Sequence, residues 1–416
     1  MSEVQLPFIL FNLSLLLFYL LRRNGFDLFG ISYFSSFIYF SPTFFGYAGF
    51  LVDLTDWVYS PLADKTYAVY FIFLSILFLT TLSHDLFIKT SGNFNYSQIK
   101  ADDKYKYEMY SAFILLLISF FLLNIFGGGA LHQLDKNQVM ANIGRWYLLY
   151  ESILLLAIAY VLTVAKFRTA YICLLFFLCF DVYLGFRTSF VIAILMLFFV
   201  SFNKKDKRLI GLWPYLLLGV FAVFSILMLK LMMFGLKKGD IDILLAILSN
   251  SQTYEKLLST SEPFVTQSIL NTVVSLDFRT DAEHLKLIPL QFVLLGDVVF
   301  GQIRSFNDYF QPALFPKINY GMASNFLAEF YAVSGVFGVF AVSAVYSLVL
   351  MVLNLAIQSV KAGYKPLLLL CGVYWAFYIY RNDMAYILNI EKRIVISFLL
   401  VILLAFVLRR FNFIFK

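Results

Sequence analysis

The chain has few of the residues that build catalytic or metal sites in most enzymes. Its 416 residues include three cysteines and three histidines, and only 14% are charged, against about a quarter in a soluble protein. The cysteines Cys173, Cys179 and Cys371 fall inside apolar runs, which predicts small core residues and argues against a disulfide framework. No zinc-protease, phosphate-loop or dinucleotide-binding motif occurs, so the sequence predicts no metal and no cofactor.

Apolar residues dominate instead, at 61% of the chain. They form runs of about 16 to 22 residues, each long enough as a helix to cross a ~30 Å hydrocarbon core, and predict an all-α polytopic membrane protein with about 11 transmembrane helices. The predicted spans are residues 5–21, 29–51, 66–82, 110–126, 143–165, 169–186, 188–202, 209–233, 328–355, 366–381 and 393–408. Pro42 and Gly46 interrupt the second span, which predicts a kinked helix or a re-entrant pair.

Breaks between these spans alternate between rich and poor in Lys and Arg. The rich breaks contain Arg22, Lys104, Lys166, Lys205, Lys361 and Arg409. Because cytoplasmic loops carry the excess of basic residues, this order predicts an outside N-terminus and a cytoplasmic C-terminus, and it accounts for the net charge of +7 without nucleic acid.

The chain then divides into three parts. Residues 1–233 hold transmembrane helices 1–8, residues 234–327 form one large outside loop, and residues 328–416 hold helices 9–11. The apolar patches at 241–248 and 285–300 predict several short amphipathic helices in the loop, lying on or dipping into the membrane surface.

Four arginines lie on the predicted outer side, where basic residues should be rare. They are Arg187, Arg279, Arg304 and Arg381. Each alone is compatible with interfacial snorkelling or with pairing to a carboxylate, and all four together favour a phosphate-bearing ligand. The planar guanidinium binds phosphate oxygens in pairs and keeps its proton.

Three outer side chains are candidates for a general base. Glu329 opens the ninth span, and Asp308 and His284 lie in the large loop. A carboxylate beside a cavity can take a proton, but a structural ion pair with one of the arginines is the competing interpretation. Glu329 ranks first because the start of a helix favours an ionised carboxylate.

Three short segments of the sequence contain candidate residues named above: Arg187, Glu329 and Arg381. They are Gly185-Phe186-Arg187-Thr188, Ser324-Asn325-Phe326-Leu327-Ala328-Glu329-Phe330-Tyr331 with Gly335 and Gly338 following, and Tyr380-Arg381-Asn382-Asp383. Together with the layout of spans and the large loop before the last three of them, they make the chain resemble the Wzy family, the polymerases of O-antigen and related oligosaccharide repeat units. The resemblance covers essentially the whole chain.

The resemblance implies a GT-C-like membrane glycosyltransferase of the inverting type, independent of metal, in the bacterial inner membrane. Its large loop would be periplasmic, and its substrates would be undecaprenyl-diphosphate-linked oligosaccharides for lipopolysaccharide or another surface polysaccharide. Glu329, Asp308 and His284 are then the candidate bases, and the diphosphate would be bound by Arg187, Arg279, Arg304 and Arg381. A chain-length regulator and a flippase of the same pathway are the implied protein partners.

Two alternatives stay open. An O-antigen ligase shares this layout and would use a histidine base in the loop, for which His284 is available. A flippase or other transporter of lipid-linked oligosaccharides belongs to a different class, but such proteins have short loops, and no internal repeat is evident here.

Overall fold

The computed structural model describes residues 3–22, 26–51, 57–91, 105–133, 136–164, 168–203, 249, 261–293, 299–300, 304–318 and 322–411. This part of the chain is mostly helical. Its α-helices, numbered α1 to α14, are Gln5–Leu21, Leu28–Tyr39, Pro42–Phe45, Asp64–Ser91, Lys106–Gly127, Lys136–Val164, Arg168–Tyr183, Thr188–Asn203, Glu262–Ser275, Glu283–Leu287, Asn307–Leu314, Phe326–Ser359, Lys365–Tyr378 and Met384–Arg410. Short 3-10 helices cover Gly128–His132, Pro289–Phe292, Ala362–Tyr364 and Ile379–Arg381.

The chain forms two compact units, each assembled from three segments. The first unit contains Met1–Phe94, Tyr254–Leu355 and Gly372–Lys392. The second contains Asn95–Thr253, Ala356–Cys371 and Arg393–Lys416.

Five of the described helical stretches are long and apolar enough to cross a membrane. They are Asp64–Phe87, Lys106–His132, Gln138–Thr163, Phe326–Ser359 and Ala362–Arg381. Three shorter apolar helices are Gln5–Leu21, Tyr171–Tyr183 and Thr188–Phe202. The prediction of a helical membrane protein is confirmed at this level, and the predicted span 209–233 lies outside the described residues.

The second predicted span, 29–51, is not one continuous helix. Helix α2 ends at Tyr39, the four-residue α3 follows, and the chain then forms strand β1, Tyr47–Leu51, which pairs antiparallel with β2, Trp57–Pro61. Pro42 opens α3, and Gly46 ends it with a φ of 75°, a left-handed conformation that only glycine adopts at little cost. The predicted interruption is therefore present, but its form is a short hairpin and not a kinked helix or a re-entrant pair.

The described helices of the large loop, α9, α10 and α11, belong to the first unit, and α9 is partly buried in it. In α9 the buried face includes Gln267, Leu270 and Asn271. The side-chain oxygen of Asn271 accepts hydrogen bonds from the Ala63 backbone N–H (3.0 Å) and from the Thr66 hydroxyl (2.8 Å), so α9 packs against the start of α4. Helix α9 lies outside both apolar patches, so the expectation of short helices at the membrane surface stays a prediction. The apolar patch 241–248 lies outside the described residues.

A buried ion network joins α1, α2 and α4 in the first unit. Arg22 donates to Asp27 Oδ1 and Oδ2 at 2.8 Å, and to Asp85 through Nε and Nη2. Asp27 also accepts from the Gly30 backbone N–H and so caps α2. Arg22 therefore fixes three helices to one another, a role that its place in a basic break does not reveal.

Aromatic side chains fill the core of the first unit. The hydroxyl of Ser32 lies 2.7 Å from that of Tyr380 and 2.8 Å from that of Tyr346. The rings of Phe40 and Tyr70 are stacked at 3.9 Å between centroids. This core holds the C-terminal end of α13 and the residues after it, where the candidate site lies.

Candidate functional site

Helix α12, which carries Glu329, begins at a cap and is interrupted by a kink. The side-chain oxygen of Asn325 accepts from the Leu327 backbone N–H at 3.0 Å, which starts the helix. At Gly335 the backbone leaves the helical region, with φ 62° and ψ −143°. Glu329 therefore lies in the first turn of a short helical segment that ends at the kink.

The kink frees backbone carbonyls that a continuous helix would use. A regular helix would pair the Tyr331 carbonyl with the N–H of Gly335 four residues later. Instead, Arg279 Nη1 donates to the Tyr331 carbonyl at 2.8 Å, and the Thr280 N–H donates to the Ala332 carbonyl at 3.0 Å. The loop segment that contains Arg279 is thus attached to the kink by hydrogen bonds.

The two glycines after Glu329 are required by this geometry. A Cβ atom at Gly335 would lie 3.0 Å from Arg279 Nη1, and the positive φ disfavours any other residue. A Cβ atom at Gly338 would lie 2.1 Å from the Phe330 carbonyl oxygen. The glycine pair that follows Glu329 in the sequence therefore makes room for a kink and for an arginine.

His284 and Glu329 form a buried pair next to this kink. His284 Nε2 lies 2.7 Å from Glu329 Oε1, and both side chains are almost completely buried. Glu329 Oε2 accepts from the Met384 backbone N–H at 2.8 Å. Both carboxylate oxygens are occupied, and the first N–H of α14 favours their negative charge.

The hydrogen bond determines which nitrogen of His284 can take a proton. A carboxylate only accepts, so Nε2 carries the proton and Nδ1 is the acceptor of the neutral ring. Among the described residues Nδ1 is buried and has no hydrogen-bond partner. The arrangement is that of a base whose orientation is set by a carboxylate.

Two aromatic rings and one further carboxylate surround His284. The ring of Tyr309 meets the imidazole edge-on at 5.1 Å between centroids, and Phe306 lies at 6.1 Å. Asp383 Oδ2 accepts from the Phe306 backbone N–H at 3.0 Å. Burial, together with the nearby Glu329 carboxylate, raises the pKa of Asp383 to about 7.

Asp308, the second candidate base, has a local structural role. Its Oδ2 accepts from the backbone N–H of Ser305 at 2.7 Å and from the Ser305 hydroxyl at 3.1 Å. The side chain is exposed at the first turn of α11. Of the three candidates, the structure thus joins His284 to Glu329, while the bonds of Asp308 are made to its own turn.

Arg381 holds the first turn of α9 to the end of α13. Its Nη1 donates to Glu262 Oε1 at 2.7 Å, and its guanidinium lies over the Tyr378 ring, 4.9 Å from the centroid. The Tyr39 hydroxyl donates to Glu262 Oε2 at 3.3 Å. The Arg381 cation is thus partly neutralised by a carboxylate from the large loop.

Arg279 is more open. Besides the Tyr331 carbonyl, it contacts Asp277 Oδ1 at 2.7 Å, and 46% of its side chain is exposed. Its guanidinium lies 5.1 Å from the centroid of the Tyr331 ring. Arg304 is exposed. It forms no hydrogen bond or ion pair with any other residue that the structure describes.

Arg187 belongs to the second unit. It follows Gly185, whose φ is 95°, in the turn between α7 and α8. The turn is fixed because the Phe186 ring stacks on Tyr147 at 3.8 Å, and the Tyr147 hydroxyl donates to Asp181 at 2.7 Å. The four predicted arginines thus divide into three in the first unit and one in the second.

Sequence reasoning missed Glu262 and Asp277, the carboxylates that pair with two of the arginines. Glu262 stands 119 residues before its partner, a distance that no local pattern bridges. The signal available was the order Ser261-Glu262-Pro263, which is typical of a helix start and places a carboxylate in the first turn.

Metal ligands are not grouped in the described part of the chain. No set of three or more His, Cys, Asp or Glu side chains there could hold an ion. No protein-family model, no curated protein and no solved structure matches this chain.

Proposed function

We propose that the chain is a membrane glycosyltransferase that polymerises undecaprenyl-diphosphate-linked oligosaccharide repeat units into O-antigen or a related surface polysaccharide. The observation that carries the proposal is the buried His284–Glu329 pair, joined through the α12 kink to the half-exposed Arg279. Long apolar helices suit substrates that reach the enzyme from the bilayer. In this proposal the fold is GT-C-like with about eleven spans, and the large loop is periplasmic.

The proposed base is His284, and Glu329 orients it. A sugar hydroxyl of the acceptor attacks the anomeric carbon of the donor while its proton passes to His284 Nδ1. The bond between the anomeric carbon and the phosphate oxygen breaks, and its electron pair leaves with the lipid diphosphate. Glu329, hydrogen-bonded at Nε2, stabilises the imidazolium that forms.

Arginine supplies the charge for the leaving group. Arg279 uses Nη1 for a carbonyl and Nη2 for Asp277, and its fork keeps further N–H groups for phosphate oxygens. Fixed cations that face a developing negative charge are worth several kcal/mol in such sites. Arg381 and Arg304, which lie in the same unit as Arg279, are proposed to share this role, and no metal ion is needed for it.

An O-antigen ligase is the second candidate. The observation that favours it is that the histidine of the large loop is held by a buried carboxylate, as a histidine base would be. A ligase would transfer a finished glycan to the lipid A core by the same displacement at the anomeric carbon.

Deletion of the gene, followed by electrophoresis of the surface glycan, separates the candidates. Loss of a polymerase leaves single repeat units on the core, whereas loss of a ligase removes all glycan from the core and leaves lipid-linked polymer. Loss of a flippase leaves unpolymerised lipid-linked repeats on the cytoplasmic side. Complementation with His284→Gln should fail and with Asp308→Asn should succeed. Purified protein should also polymerise lipid-linked repeats in excess chelator.

A further inference from the structure

We propose that Asp383 is a positioning residue: its carboxyl group holds the Phe306–Tyr309 segment to the start of α14 and thereby keeps the two aromatic rings against His284. The consequence for catalysis rests on the proposed function. The positioning itself is a statement about the fold and is tested separately.

Asp383 makes one bond to the last helix and one to the large loop. Its Oδ1 accepts from the Tyr386 backbone N–H at 2.8 Å, which caps the first turn of α14. Its Oδ2 accepts from the Phe306 backbone N–H at 3.0 Å, at the start of α11. The side chain is only 3% exposed, so water does not replace either bond.

The next residue completes the connection. The N–H of Met384 donates to Glu329 Oε2, which in turn holds His284 through Oε1. Two consecutive residues at the start of α14 therefore fix both sides of the imidazole: Met384 through Glu329, and Asp383 through the loop segment. Tyr309, one turn after Phe306, contacts the imidazole edge-on.

The charge of Asp383 depends on the groups around it. Glu329 on α12 opposes a negative charge there, and His284 on α10 favours it. The N–H groups of Tyr386 on α14 and Phe306 on the loop also favour the ionised form. Burial outweighs these bonds and raises the pKa of Asp383 to about 7, so the carboxylate gains and loses its proton near neutral pH.

Ionisation weakens the connection because burial opposes the charge more than the two N–H bonds favour it. Opening of the segment lets water reach the carboxylate, so the open state prefers the ionised form and the closed state prefers the protonated form. The loop segment should therefore be held more tightly below pH 7 than above it. The Asp308 cap of the same segment is exposed and independent of this site.

Hydrogen–deuterium exchange of the purified full chain in detergent, read by mass spectrometry on peptides covering residues 304–310, tests the proposal. After correction for intrinsic exchange, the wild type should gain about tenfold protection in this segment between pH 8 and pH 6. Asp383→Asn should show the low protection at both pH values, because its amide nitrogen cannot accept. Asp383→Glu should restore part of the pH response, and Asp308→Asn should retain it.

Protection that is independent of pH in the wild type overturns the proposal, and this measurement needs no variant to fold. Equal protection in Asp383→Asn and the wild type at pH 6 also overturns it. If polymerisation is absent while the exchange behaves as expected, the proposed function fails and the positioning stands. In an active preparation, Asp383→Asn should lower kcat with little change in KM and flatten the pH profile near 7. A merely structural residue would leave the shape of that profile unchanged.

Discussion

His284 Nε2 donates a hydrogen bond to Glu329 Oε1 across 2.7 Å, although 45 residues separate the two in the chain. Both groups are buried, so each depends on the other for a partner. Removing one member of such a pair leaves a polar or charged group without compensation, which costs more than the pair contributes when intact. The pair is therefore expected to act as one unit in both folding and catalysis.

The first prediction tests that unit. His284→Gln and Glu329→Gln should each lower the polymerisation rate by about 10²–10⁴-fold, since a base and the group that orients it are both needed. The double variant should lose little more than either single variant. Rates of purified variants on lipid-linked repeats give the comparison, and Asp308→Asn is the matched control with near wild-type rate. Losses that multiply in the double variant would assign separate roles to the two residues.

The second prediction concerns the arginines. Lysine carries the same charge but a single ammonium, so it cannot hold Glu262 and also bind phosphate oxygens in pairs. Arg381→Lys should lower the rate by about 10²–10³-fold while the protein still inserts and folds. Lys317→Arg, a swap at an exposed loop position, is the control. Long polymer chains from the Arg381→Lys variant would show that this arginine only anchors the protein.

The third prediction concerns the kink. Gly335→Ala should destabilise the protein by about 1–3 kcal/mol, because alanine disfavours a φ of 62° and its methyl group meets Arg279 Nη1. Gly129→Ala is the matched control, since no atom lies within 4 Å of the Cβ position there. Thermal unfolding of the two variants in the same detergent gives the difference. Equal unfolding temperatures would mean that the kink contributes nothing to stability.

The fourth prediction is a pH dependence of stability. The pKa of Asp383 is raised from 3.8 to about 7 in the folded chain, so between these values the folded state holds a proton that the unfolded state has lost. The contribution of Asp383 to stability should therefore fall as pH rises through 4 to 7, and stay low above that. Unfolding temperatures between pH 5 and 8 should decline more steeply in the wild type than in Asp383→Asn. Identical slopes would contradict the burial argument.

The fifth prediction concerns topology. The alternation of basic residues predicts that the large loop lies outside and the C-terminus lies in the cytoplasm. A periplasm-active reporter inserted at Lys256 should be active, and a cytoplasm-active reporter after Lys416 should be active as well. Both positions reporting the same side would reject eleven spans.

The order of apolar runs and charges along the sequence by itself determined that this is a helical membrane protein. A long apolar run in a bilayer favours a helix, because the backbone there must satisfy its own hydrogen bonds. Local signals succeeded as well: Glu329 lies in the first turn of α12, and Pro42 with Gly46 marks an interruption. What these signals left open was the form of the interruption, a hairpin, because strand pairing joins residues about ten apart.

Only the tertiary structure decided which polar groups meet. Glu329 and His284 stand on different helices, and Glu262 pairs with Arg381 from 119 residues away. Helical periodicity reports which face of one segment is buried, but it holds no information on which segment covers that face. The loop segment is attached to the kinked helix because Arg279 donates to the Tyr331 carbonyl, and the start of α14 is attached to Glu329 through the Met384 N–H. Nearly every residue carries these backbone groups, so no sequence pattern indicates which of them will be used.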